Sequence, residues 1–259
     1  MTGLDALQAM KTNGEKIAVL TCYDASFATL MAQAGVDALL VGDSLGMVLQ
    51  GAGDTLSVAM RDMEYHTRCV AAGAKSTPVV ADMPAGSDRT PGTALDNARR
   101  LIEAGAHMVK LEGCKTEVVR HLAQHHIPVC GHLGFTPQSV YELGGYKVQG
   151  RDEAGARQIL EDSLALQQAG AGLLVLEMVP AALAATVTAA LAIPTIGIGA
   201  GPDCDGQVLV LHDMLGIYPG KTPRFARNFL QGAGSVQTAL TAYVQAVKDK
   251  TFPAAEHSF

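Results

Sequence analysis

The sequence is short of the features that mark several common protein classes. Cys22, Cys69, Cys114, Cys130 and Cys204 are odd in number and widely spaced, with no CxxC pair. That spacing argues against a disulfide framework and a cysteine zinc site, so the thiols are expected as small buried or half-buried residues. The 19 Lys and Arg in 259 residues form no cluster, and the net charge is -6 with a pI near 5.7. A nucleic-acid role lacks its phosphate-tracking stripe. No apolar run reaches a membrane span; even Leu173 to Val179 is broken by Glu177. Nor does a basic segment followed by an apolar one open the chain, which leaves the cytoplasm as the expected location and no membrane partner.

What is present is apolar and periodic. Hydrophobic residues make up 48% of the chain and charged residues 17%, which predicts a compact globule. Short apolar runs suited to strands recur at 17–21, 38–41, 78–81, 108–111, 128–131, 172–176, 194–198 and 207–211. Between them lie helical stretches at 26–33, 61–72, 93–104, 116–125, 153–169 and 181–190, with a helical tail at 236–247. Gly35, Gly73, Gly105 and Gly170 are read as helix stops. Buried parallel strands read as continuous apolar runs, so this alternation predicts an α/β chain forming one (β/α)₈ TIM barrel over 1–259, with a short N-terminal extension and a C-terminal helical tail. An open doubly wound sheet competes, but Thr21-Cys-Tyr-Asp24 is no phosphate-binding glycine loop. The connections at 46–60 and 134–152 are long enough to cover an active site.

Polar residues fall where the runs end. Asp43, Asp82, Glu112, His132 and Glu177 each follow a separate run, and a barrel brings such positions round one mouth. Unpaired carboxylates there face a large desolvation cost, so a cation is expected beside Asp43 and Asp82; oxygen ligands favour Mg²⁺. Each Asp taken alone equally suits a helix cap. Lys110 and Glu112 lie two apart and share a strand face, where Lys110 can grip the carboxylate of a small oxo acid and Glu112 can complete the metal site. An internal salt bridge is the other reading of that pair. Glu177 follows Leu-Leu-Val-Leu with no basic neighbour in sequence, which makes it the expected general base, with a cap or a second metal ligand as alternatives. His132 can donate to a substrate oxygen or serve structurally, and Ser44 can orient a substrate carboxylate. The glycines of Gly197-Ile-Gly-Ala-Gly201 let the chain pass closely over a strand end, near a bulky planar ligand.

Five segments together resemble one family. Gly42-Asp-Ser-Leu-Gly-Met47, Val109-Lys-Leu-Glu-Gly113, Gly131-His-Leu-Gly-Phe-Thr-Pro-Gln138, Gly144-Gly-Tyr-Lys-Val-Gln-Gly150 and Ile196-Gly-Ile-Gly-Ala-Gly201 are similar to the ketopantoate (3-methyl-2-oxobutanoate) hydroxymethyltransferases, from about Lys11 through Phe259. The resemblance implies a barrel of the phosphoenolpyruvate/pyruvate type and a Mg²⁺ site. It also implies hydroxymethyl transfer from 5,10-methylenetetrahydrofolate to 3-methyl-2-oxobutanoate in pantothenate biosynthesis. It maps the family's metal residues to Asp43, Asp82 and Glu112, and its substrate contacts to Asp43, Ser44, Asp82 and Lys110, with His132 nearby. Its proton acceptor maps to Glu177, and its assembly is a homodecamer of two stacked pentameric rings. One departure is Ala85-Gly-Ser-Asp-Arg89, where the family carries bulkier aromatic residues; loop ordering, closure and folate affinity are expected to change there. The alternatives are another Mg²⁺-dependent oxo-acid lyase or transferase of the same barrel class, and a non-catalytic barrel. Lyases of that class commonly use a cysteine motif that is missing here, and a non-catalytic barrel leaves the convergent charges unexplained.

Overall fold

A computed structural model describes residues 3–259. Eight parallel strands, β1 (Ile17–Thr21), β2 (Ala38–Val41), β3 (Val79–Asp82), β4 (Met108–Glu112), β5 (Val129–Gly134), β6 (Leu173–Glu177), β7 (Thr195–Ile198) and β8 (Gly206–Leu209), pair in chain order. β1 also pairs with β8, with Val19 opposite Val208, and this contact closes the barrel. The sheet therefore has no open edge, and its apolar strand residues are buried against the interior or the surrounding helices.

The helices are α1 (Gly3–Thr12), α2 (Ala25–Ala34), α3 (Leu45–Val48), α4 (Met60–Ala74), α5 (Pro91–Glu103), α6 (Thr116–Gln124), α7 (Glu153–Ala169), α8 (Ala181–Ala190), α9 (Leu211–Met214) and α10 (Val236–Lys248). Their ends follow local chemistry. Asp24 and Asp152 accept backbone N–H groups of Phe27 and Gly155 at the starts of α2 and α7. Gly35 and Gly170 end the same helices in the left-handed region, as the sequence predicts. Gly73 departs from that expectation. α4 runs through it to Ala74, because a side chain at Gly73 would collide with the carbonyl of Ala25, where α2 crosses α4. The residue is small for packing rather than for termination.

The N-terminal extension is a helix. α1 lies over residues that precede strands: Gly3 rests against Pro78, Gln8 donates to Ala192 O at 2.9 Å, and Lys11 pairs with Asp205 at 2.7 Å. It covers the end of the barrel opposite the strand-end carboxylates. At the other end the two long connections meet, since Tyr141 donates to Asp54 at 2.8 Å and the Tyr146 hydroxyl approaches Met47 Sδ at 3.9 Å. The 85–89 segment is tied down despite its small residues. Asp88 is buried and pairs with Lys115 at 2.6 Å, while Asn97 donates to Ser87 O at 2.7 Å. Among the described residues, no helix is long and apolar enough to cross a membrane.

All five cysteines are free. Cys22, Cys130 and Cys204 are buried and Cys69 is half-buried, as expected, whereas Cys114 is exposed just past the end of β4.

Candidate active site

Strand register assembles the site. Asp82 on β3 is opposite Lys110 on β4, Glu112 on β4 is opposite His132 on β5, and Gly134 on β5 is opposite Glu177 on β6. Because Lys110 and Glu112 are two apart, the register carries Asp82 and His132 onto the same face. Lys110 Nζ lies 2.8 Å from Asp82 Oδ1 and 3.2 Å from His132 Nδ1. His132 in turn lies 3.5 Å from Glu112 Oε1 through Nδ1 and 3.1 Å from Glu177 Oε2 through Nε2. Asp43, two residues past β2, donates its backbone N–H to Asp82 Oδ2 at 3.0 Å. Asp43, Asp82, Lys110, Glu112 and His132 are all buried.

The backbone around Glu177 is specialised. Gly134 has φ 90°, and any side chain there would strike the Glu177 carbonyl. Met178 follows with φ 48°, in the left-handed region that a residue with a side chain enters at a cost of roughly 1–2 kcal/mol. The chain turns sharply just where it presents the carboxylate to the mouth.

The electrostatics record an excess of negative charge. Burial raises the Asp43 pKa well above the ordinary carboxylate range, and the neighbouring Asp82 and Glu112 raise it further. Burial also works against ionised Glu112, but His132 and Lys110 outweigh it and hold its pKa low. Lys110 has a raised pKa because the charges of Asp82, Glu112 and Asp43 overcome its burial. For His132, burial and the Lys110 charge press down while Glu112 and Glu177 press up, and the balance is a pKa of about 9. A protonated Nδ1 would, however, face the Lys110 ammonium at 3.2 Å. Nδ1 is shared between that ammonium and Glu112 Oε1 at 3.5 Å, and Nε2, 3.1 Å from Glu177 Oε2, is buried without an aligned hydrogen bond.

Among the described residues, no group of three or more His, Cys, Asp and Glu side chains stands at metal-ligand spacing. The carboxylates are turned to protein partners instead. Gln138 donates its side-chain amide to Asp43 Oδ2 at 2.8 Å and its backbone N–H to Glu112 Oε2 at 2.9 Å. The donor set still fits a hard divalent cation. Asp82 Oδ1 and Glu112 Oε1 are buried without an aligned hydrogen bond, and three carboxylates face a single ammonium.

Ser44 lines the same cavity and pairs with the buried Tyr23 hydroxyl at 2.8 Å. This inner cavity, about 150 Å³, brings together all seven expected residues, Asp43, Ser44, Asp82, Lys110, Glu112, His132 and Glu177. Glu177 has no basic neighbour in sequence, but His132 on the adjacent strand reaches it, a neighbour that sequence proximity could not show. The glycines at 197–201 admit the chain's own rings, for a side chain at Gly199 would meet Phe225 and Phe259. Sequence reasoning passes over Gln138, Tyr146 and Asp213, which line or support the site. Gln138 and Tyr146 lie in family-like segments, and Asp213 follows the last apolar run by two residues.

Known proteins resemble this chain in sequence and in fold. The model of the family described as ketopantoate hydroxymethyltransferase matches residues 2–255. The chain belongs to that family. Among its relatives, the 3-methyl-2-oxobutanoate hydroxymethyltransferase of Methylobacillus flagellatus is 65% identical over 256 residues, covering 98% of each chain. That of Thiobacillus denitrificans is 62% identical over 259 residues, covering 99% of this chain and 98% of its own. Solved structures share the barrel at much lower identity. Phosphonopyruvate hydrolase, with oxalate and Mg²⁺, aligns at TM-score 0.65 and 13% identity, over 99% of this chain and 93% of its own. A 2,3-dimethylmalate lyase of the PEP mutase/isocitrate lyase superfamily aligns at TM-score 0.60 and 19% identity, over 81% of each. These neighbours share the barrel fold.

Proposed function

We propose that the chain transfers a hydroxymethyl group from 5,10-methylenetetrahydrofolate to 3-methyl-2-oxobutanoate, giving 2-dehydropantoate and tetrahydrofolate. The observation that carries this reading is the sharing of one small cavity by the buried Asp43, Asp82 and Glu112, the Lys110 ammonium and the His132–Glu177 pair, in a member of this family. Asp43, Asp82 and Glu112 would hold Mg²⁺, which when bound withdraws electrons from a chelated oxo acid and lowers the cost of its enolate. Lys110, with Ser44 and the Asp43 and Asp82 carboxylates around it, orients the substrate carboxylate. Glu177, at the end of β6 on the cavity wall, removes the C3 proton. His132, whose Nε2 is buried 3.1 Å from Glu177 Oε2 without an aligned hydrogen bond, can donate to a substrate oxygen. We infer from family membership that the chains assemble as a homodecamer.

The test is deuterium exchange at C3 of 3-methyl-2-oxobutanoate, in D₂O and without folate. Wild-type protein should exchange with Mg²⁺ and stop when the metal is chelated. Glu177→Gln should bind the oxo acid but lose exchange by a factor of about 100 or more. Wild-type exchange in that variant would remove Glu177 from the role of base.

A further inference from the structure

Two cavities meet at the barrel mouth. Outside the inner one lies a larger space of about 550 Å³, walled by Tyr146, Tyr218, Phe225 and Phe259 with Lys221 and Arg224 beside them. Rings and cations of that kind suit a flat heteroaromatic group with an anionic tail, which describes the proposed donor. Glu177 and Asp213 are the carboxyl side chains that line both spaces. Glu177 is engaged by His132 at 3.1 Å. Asp213, on α9 just after β8, is 8% exposed, and among the described residues its carboxyl group has no hydrogen bond or ion pair. A carboxyl group so enclosed and unpartnered, at the junction of two cavities, is left over from the roles assigned above.

The chemistry leaves a vacancy that it fits. The donor carries its one-carbon unit between two nitrogens and holds no oxygen on it, so the oxygen of the hydroxymethyl group must come from water. Glu177 holds the C3 proton until the new C–C bond forms, and cannot relay the protons of that water in the same interval. We propose that Asp213 is the acid–base residue serving the one-carbon donor, relaying the protons of the water that releases the carbon unit. The role rests on the function proposed above. In the step, both C–N bonds of the donor break with their electron pairs staying on nitrogen. Water gives its oxygen to the carbon and, through Asp213, its two protons to the two nitrogens, leaving formaldehyde and tetrahydrofolate. C3 of the enolate then attacks the aldehyde carbon, and the resulting alkoxide takes up the proton that Glu177 removed. Burial alone raises the Asp213 pKa to about 6, so near neutral pH the group can both accept and return a proton.

Asp213→Asn keeps the shape and removes the relay. With the folate donor, kcat should fall about 100-fold while tetrahydrofolate affinity and C3 deuterium exchange without donor stay within about threefold of wild type. Free formaldehyde bypasses the step, so transfer from it should also stay within about threefold of wild type. Four results would overturn the role. Undiminished folate-dependent turnover would show that no relay is needed, and a loss confined to affinity would make Asp213 a binding group for the heteroaromatic ring. Equal loss with both donors would place it in C–C bond formation, and loss of exchange as well would make it structural. If Asp213→Asn misfolds, Asp213→Ser enters the same assays with formate supplied as a replacement carboxylate. Rescue of folate-dependent turnover by formate supports the relay, and transfer no better with formaldehyde or formate rejects it. A wild-type protein that neither exchanges C3 nor transfers from either donor would sink the proposed function, and this role with it.

Discussion

At Gln138 one residue ties two buried carboxylates to the connection that follows β5. Its side-chain amide is shared between Asp43 Oδ2 at 2.8 Å and Met83 O at 3.0 Å, and its backbone N–H serves Glu112. Gln138→Ala deletes the side-chain part and leaves Asp43 among like charges. We expect the Mg²⁺ concentration for half-maximal C3 exchange to rise roughly 10- to 100-fold, the scale typical of groups that orient ligands. An unchanged metal titration would show that Gln138 positions nothing of consequence. At this scale the sequence conveys which strand ends carry carboxylates, and the two-residue spacing of Lys110 and Glu112 conveys that they share a face. Spacing along one strand carries no information on the next strand's register. The Asp82–Lys110 ion pair and the His132–Glu177 contact therefore depend on pairings between segments 28 and 45 residues apart, which no local rule yields.

Elements are joined by a few buried polar contacts as well as by the core. Tyr243, fully buried on α10, places its hydroxyl 2.9 Å from Val19 O and 3.0 Å from Gln207 O, and so bridges the helix to β1 and the start of β8. Tyr243→Phe preserves the ring but withdraws the shared proton from both carbonyls. The variant should lose about 1–2 kcal/mol of stability in urea unfolding monitored by circular dichroism, with C3 exchange unaffected. A midpoint equal to wild type would mean that the carbonyls have other partners. All eight strand segments were visible in the sequence because strands buried on both sides leave uninterrupted apolar runs. The short α1 was not. Its anchoring runs through distant partners, with Lys11 held by Thr188 O and Asp205. Gly73 is ambiguous in sequence for a related reason: a helix stop and a close helix crossing both call for glycine, and only the position of α2 separates them.

At the scale of the molecule, closure of β1 on β8 brings the eight strand ends round one rim, so carboxylates scattered over more than 130 residues of chain become neighbours. The count of strands pointed to that closure, and the side on which polar residues cluster pointed to the functional end. Assembly is a property of surfaces that sequence patterning does not resolve. By family membership we expect sedimentation-velocity analysis to find a particle of ten 26.9 kDa chains, and a monomer or dimer at micromolar concentration would reject the decamer. The position of α1 has a consequence for traffic. The strand side chains are buried and this helix covers the far end of the barrel, so the molecule is a cup and not a tunnel. Whatever is spent must back out through the same entrance that admits the next round, and the wider vestibule has to empty before the deeper chamber can.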